Sequence, residues 1–77
     1  IAWVTELEIN NKLFVIERSS DGIKFSSIGV VDGVGNSTSL QAYDLLDSEP
    51  FFGRNYYRLK QVDYDGQFEY RRRIFIK

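Results

Sequence analysis

Seventy-seven residues are enough for one small domain, which buries only about 60% of the surface its unfolded chain exposes and is marginally stable without help. The chain has no cysteine and no histidine, which excludes disulfides, thiolate or imidazole metal sites and the commonest general base, and leaves oxygen ligands suited to hard cations such as calcium. Net charge is −1, but residues 1–50 carry three basic and eight acidic side chains (−5) and residues 51–77 carry seven and three (+4), a polarity that early acidic strands pairing with late basic ones would produce and that a basic binding face could also produce.

Apolar residues alternate almost from the start. In residues 1–9, Ile1, Trp3, Thr5, Leu7 and Ile9 fall on one side of an extended segment and Glu6 and Glu8 on the other. Segments 13–18, 24–31, 40–46, 55–62 and 68–76 are rich in Phe, Tyr, Ile and Val and are bounded by turn residues, which predicts strands. No useful window holds an apolar stripe of helical period. Six short strands with closely spaced turns predict an all-β antiparallel sandwich, with a core of Trp3, Leu7, Phe14, Ile16, Phe25, Ile28, Tyr43, Tyr57, Leu59, Ile74 and Ile76.

Asp21-Gly22 and Asp65-Gly66 read as two-residue hairpin turns, since such turns need φ > 0 at both central positions; the hairpins would span 13–31 and 55–76. DGVGNSTS (32–39) reads as a polar loop, and DSEPFFGR (47–54) as a crossing loop with Pro50 and Gly53 shaping its path.

The most suggestive stretch is YYRLKQVDYDG, residues 56–66. Alternation turns Tyr57 and Leu59 inward and Tyr56, Arg58 and Lys60 outward. The outward trio could bind a nucleic acid or a glycan by stacking and charge, but Glu17 on the neighbouring segment offers Arg58 or Lys60 an ordinary cross-strand partner. Asp63 and Asp65 resemble the start of a calcium loop. An EF-hand would need a glutamate at its twelfth position, where this chain has Ile74, and turn chemistry accounts for Asp65-Gly66, with Asp63 expected to cap the hairpin. Arg71, Arg72 and Arg73 alternate between faces, so they make no single basic patch, and with an acidic pI no nucleic-acid partner is expected. The serines have no histidine to activate them, and no cofactor or catalytic group is expected.

No apolar run approaches the roughly 20 residues of a membrane span. The opening IAWVT carries neither a basic nor an apolar leader region, so 1–77 is expected to be a single domain cut from a longer chain.

Taken in order, the blocks FVIERSSDG and GRNYYRLKQVDYDG, with Trp3, Thr5, Asn10-Asn11, Gly35-Asn36-Ser37, Tyr43, Asp47 and Pro50, resemble the fibronectin type III-like module of bacterial secreted and cell-surface proteins. That module often precedes the C-terminal sorting domain of type IX secretion. The likeness covers nearly the whole chain. It departs at Arg71-Arg72-Arg73, where serine usually opens the segment, at the heavy Phe51-Phe52 loop, and in the strand that normally precedes Trp3, which is expected to be absent or truncated here.

The resemblance implies an immunoglobulin-like sandwich, Trp3 as a core residue, and a non-catalytic spacer whose partners are the neighbouring domains of its own chain. The absent strand leaves an edge through which copies could associate. The alternative is an independent carbohydrate- or protein-binding module contacting its ligand through Phe51, Phe52, Tyr56, Arg58 and Lys60. Exposure of Phe51 and Phe52 discriminates the two.

Overall fold

The computed structural model describes residues 1–71 and the backbone of Phe75–Ile76. Seven strands occur among them: β1 (Ala2–Thr5), β2 (Glu8–Ser19), β3 (Ser26–Ser37), β4 (Gln41–Asp44), β5 (Tyr56–Asp63), β6 (Phe68–Tyr70) and β7 (Phe75–Ile76). β1 pairs with β4 in a two-stranded sheet, and a larger sheet runs β3-β2-β5-β6, with β7 also on β5. Every pairing is antiparallel. The described residues of the predicted segment 68–76 hold two short strands, both paired with β5.

The two sheets meet through aromatic rings. Trp3 of β1 stacks on Tyr43 of β4 at 5.6 Å and meets Phe14 of β2 edge-on at 5.4 Å. Ile16 and Leu59 complete the buried cluster, with Ile1, Ile28, Val31 and Leu45 packed around it. Tyr57 is buried as expected. Burying each large side chain contributes about 1.5–3 kcal/mol, so these few contacts carry most of the sandwich-like packing.

Several expectations fail for identifiable reasons. Leu7 is not core: it is 60% exposed, whereas Glu8 is 2% exposed. β1 and β2 belong to different sheets, and the bend at Glu6–Leu7 that carries the chain across resets the alternation. Phe25 precedes β3 rather than joining it and lies half-buried beneath Arg58. Ile74 and the side chain of Ile76 lie outside the described residues, as do Arg72 and Arg73.

The predicted loop 32–39 is mostly strand, because β3 continues to Ser37 beside the equally long β2. Three register shifts accommodate it, and Gly35 takes a left-handed φ of 80°.

Neither Asp-Gly pair forms a two-residue turn. The first sits in a six-residue connection, 20–25. Ser19 Oγ accepts from the Asp21 and Gly22 amides, and Asp21 Oδ1 accepts from those of Ile23 and Lys24. The Lys24 amide foremost, then the Ser19 hydroxyl and the Ile23 amide, pull the Asp21 carboxyl down to about 2. At the second, the Gly66 amide donates to the Asp63 carbonyl at 3.0 Å and the Asp63 amide to the Gln67 carbonyl at 2.8 Å. That closes a three-residue loop in which only Gly66 has a positive φ, 88°, the turn-plus-bulge arrangement. Asp65 rather than Asp63 caps it, its Oδ1 accepting from the Gln67 amide.

Candidate functional site

The loop 47–55 gathers several polar groups around one carboxylate. Asp47 lies at its base. Arg18 Nη1 reaches both carboxylate oxygens, at 2.9 and 3.1 Å, and the Glu49 carbonyl at 2.8 Å. The Tyr57 hydroxyl donates to Asp47 Oδ2 at 2.7 Å. Burial pushes the Asp47 carboxyl up, but the bonds from Tyr57, Arg18 and the Glu49 amide outweigh it and hold it below its ordinary value. Burial and then Asp47 push the Tyr57 phenol up to about 12. The carboxylate thus stays ionised and the phenol protonated through the neutral range, and the pair anchors the loop to β5.

Above this anchor, Asn55 holds a tight bend. Its Oδ1 accepts from the Phe51 amide at 2.8 Å, and its Nδ2 donates to the carbonyls of Phe51 and Gly53. Gly53, at a φ of 93°, turns the chain so that Phe52 projects fully into solvent. Phe51 is less free, because the Arg18 guanidinium lies 4.3 Å from its ring centroid. Two shallow clefts flank the loop. One of about 190 Å³ lies between Arg18, Ile28 and Leu46–Glu49; the other, about 290 Å³, is bounded by Ile1, Leu46, Pro50, Phe51 and Tyr57.

The predicted trio Tyr56, Arg58 and Lys60 sits elsewhere, on the outer face of the large sheet. Tyr56 packs over Gly22. Arg58 lies between the rings of Phe25 and Tyr70, at 4.2 and 4.0 Å, and its Nε donates to Glu17 Oε1 at 2.6 Å, the cross-strand partner expected for it. Lys60 sits 4.0 Å over Phe68. Phe51 lies against Arg18 instead, and Phe52 projects into solvent.

A third cluster was not legible in the sequence. Glu8, expected outside, is a buried carboxylate that accepts from Thr5 Oγ1 at 2.7 Å, Asn11 Nδ2 at 2.7 Å, the Val34 amide at 3.2 Å and the Tyr43 hydroxyl. Burial pushes its carboxyl up, and these donors, Tyr43 first, more than reverse that. Tyr43 is in turn pushed up to about 12 by burial and by Glu8. The available signal was the T-x-x-E-x-x-N spacing, Thr5, Glu8 and Asn11, which alternation alone cannot place together. Among the described residues no three carboxylates gather into a metal cluster.

No family model, no curated protein and no solved structure matches this chain.

Proposed function

We propose that this chain is a fibronectin type III-like accessory module, non-catalytic, within a secreted or cell-surface bacterial protein of the type IX export kind. Its role is to space and present the neighbouring domains of its own parent. The likeness of FVIERSSDG and GRNYYRLKQVDYDG to that module supports the reading, as do two antiparallel sheets closing on Trp3.

The observation that carries it is the loop 47–55. The Asp47 carboxylate is held in internal bonds by Arg18 and Tyr57, while Leu46 and Phe52 stand exposed. That is the pattern of a contact surface for an adjoining domain rather than of a reacting centre. Hydrogen exchange compares the isolated module with the parent protein. Slower exchange of amides 46–53 in the parent is the expected result, and equal exchange in both rejects the contact.

A second reading, a module that captures polysaccharide or protein, is favoured by one feature: the Asn55 bracket presents Phe52 as a single projecting ring. Affinity electrophoresis through glycan-containing gels separates the two. Retardation that Phe52→Ser abolishes would establish the capture reading, and no retardation with any glycan rejects its carbohydrate form.

A further inference from the structure

At the opposite end of β5 from Tyr57, two oxygen atoms lie buried without a donor. Asn11 is wholly buried. Its Nδ2 donates to Glu8 Oε1, which fixes the orientation of the amide, because the flipped form would set oxygen against a carboxylate. Asn11 Oδ1 is left over, with no hydrogen-bond partner. Directly across the ladder stands Asp63. Alternation from Tyr57 and Leu59 puts Gln61 and Asp63 on the same inner side. Asp63 Oδ1 is likewise buried and without a partner. Directly opposed residues hold their Cβ atoms about 4.5–5.5 Å apart, within reach of a single bound species that could meet both acceptors.

The backbone also converges there. Asn10 takes a left-handed φ of 58°, and its carbonyl accepts from the Tyr64 amide at 3.0 Å, tying the start of β2 to the turn after β5. Charge narrows the choice of occupant. The ion pairs among the described residues are Arg18–Asp47 and Arg58–Glu17, and neither touches Glu8 or Asp63. A water molecule could satisfy two lone pairs, whereas a cation satisfies the lone pairs and also balances two neighbouring carboxylates.

We propose that Asn11 Oδ1 and Asp63 Oδ1 are the protein ligands of a hard-cation site, with calcium the ion whose flexible all-oxygen shell it suits. Asp63 as a residue is half-buried, so solvent supplies the remaining ligands. Asp65 takes no part, since its side chain caps the turn. With two side-chain ligands the site belongs to the weak class, with a Kd of about 0.1–1 mM.

Terbium luminescence sensitised by Tyr64 and Trp3 tests this on the intact 77-residue chain, with calcium as competitor. Saturable emission displaced by calcium and lost in Asp63→Asn, but kept in Asp65→Asn, is the expected result. Should Asp63→Asn fail to fold, calcium titration of the wild-type chain by amide NMR decides: shifts centred on residues 10–12 and 62–64 support the site. Absence of such shifts at about 10 mM calcium, well above the weak class, or equal terbium binding by Asp63→Asn and wild type, overturns it and leaves water as the occupant.

Discussion

Replacing Gly33 with alanine probes the buried polar end through space alone. Gly33 is not among the left-handed glycines, so alanine suits its backbone. A Cβ there would nevertheless lie 2.7 Å from Asn11 Cγ and 2.9 Å from the Asn11 carbonyl oxygen, and closer still to Nδ2, against ordinary contact at 3.4 Å or more. Asn11 has no room to retreat, being wholly buried with its amide on Glu8. If the amide moves, a hydrogen bond to a buried carboxylate is lost, a cost of about 1.5–3 kcal/mol. If the backbone moves, the β2–β3 ladder opens. A loss of about 3 kcal/mol is expected, from a total that for a domain of this size is roughly 4–11 kcal/mol. Guanidinium unfolding followed by the fluorescence of Trp3, the sole tryptophan, measures it. In an Asn11→Ala background the cost of Gly33→Ala should fall but not vanish, because the clashing side-chain amide is gone while the backbone carbonyl oxygen of residue 11 still lies 2.9 Å from the new methyl. Gly66→Ala serves as contrast. Its left-handed φ costs about 1–2 kcal/mol with nothing within 4 Å of the new methyl, so it should not respond to Asn11. A Gly33→Ala loss under about 1 kcal/mol, or the same loss in both backgrounds, would refute the reasoning.

Acid should weaken the fold through Glu8 and Asp47. Both are held below their ordinary values of 4.5 and 3.8, so their contribution is present above those values and is lost as pH falls through the lower folded ones; a midpoint in denaturant unchanged between pH 5 and pH 2 would contradict this. At the alkaline end the sign reverses. Tyr43 and Tyr57 are raised to about 12, so their contribution is complete below pH 10 and is lost as pH climbs toward 12, and phenolate absorbance should lose one late-titrating group in each of Tyr43→Phe and Tyr57→Phe. Arg58→Lys should cost about 1 kcal/mol, because an ammonium cannot stack flat between Phe25 and Tyr70 as the guanidinium does, and unfolding curves superimposable on wild type would reject the sandwiching.

The large sheet was readable because its inner face obeys a simple period. Phe14, Ile16, Tyr57 and Leu59 alternate in two uninterrupted segments, and every second residue must find apolar cover. The Glu17–Arg58 pair followed from the same register. Turn chemistry was less legible. Asp-Gly marks a reversal reliably, but the length of that reversal depends on side chains beyond the pair. Ser19 recruits the amides of Asp21 and Gly22 and widens the first turn, and Asp65 draws in Gln67 and shapes the second. Phe51 and Phe52, adjacent in sequence, differ in exposure because Arg18 reaches one ring from another strand.

The polar end of the sandwich was hidden for a deeper reason. Alternation assigns a face only while the chain stays in one sheet. At Glu6–Leu7 it changes sheet, and at Asn10 a left-handed residue turns it again, so Glu8 and Asn11 enter the interior as Leu7 and Ile9 leave it. A carboxylate admitted there needs donors, and Thr5, Tyr43, Val34 and Asn11 supply them from four strands. By donating to Glu8, Asn11 leaves its own oxygen without a partner, across the ladder from Asp63. Turn chemistry accounts for the Asp63 amide and carbonyl but leaves its carboxylate without a partner. The unmatched oxygens thus follow from burying one glutamate at a sheet crossing, and residues that break the period of two mark where this fold concentrates its unbalanced charge.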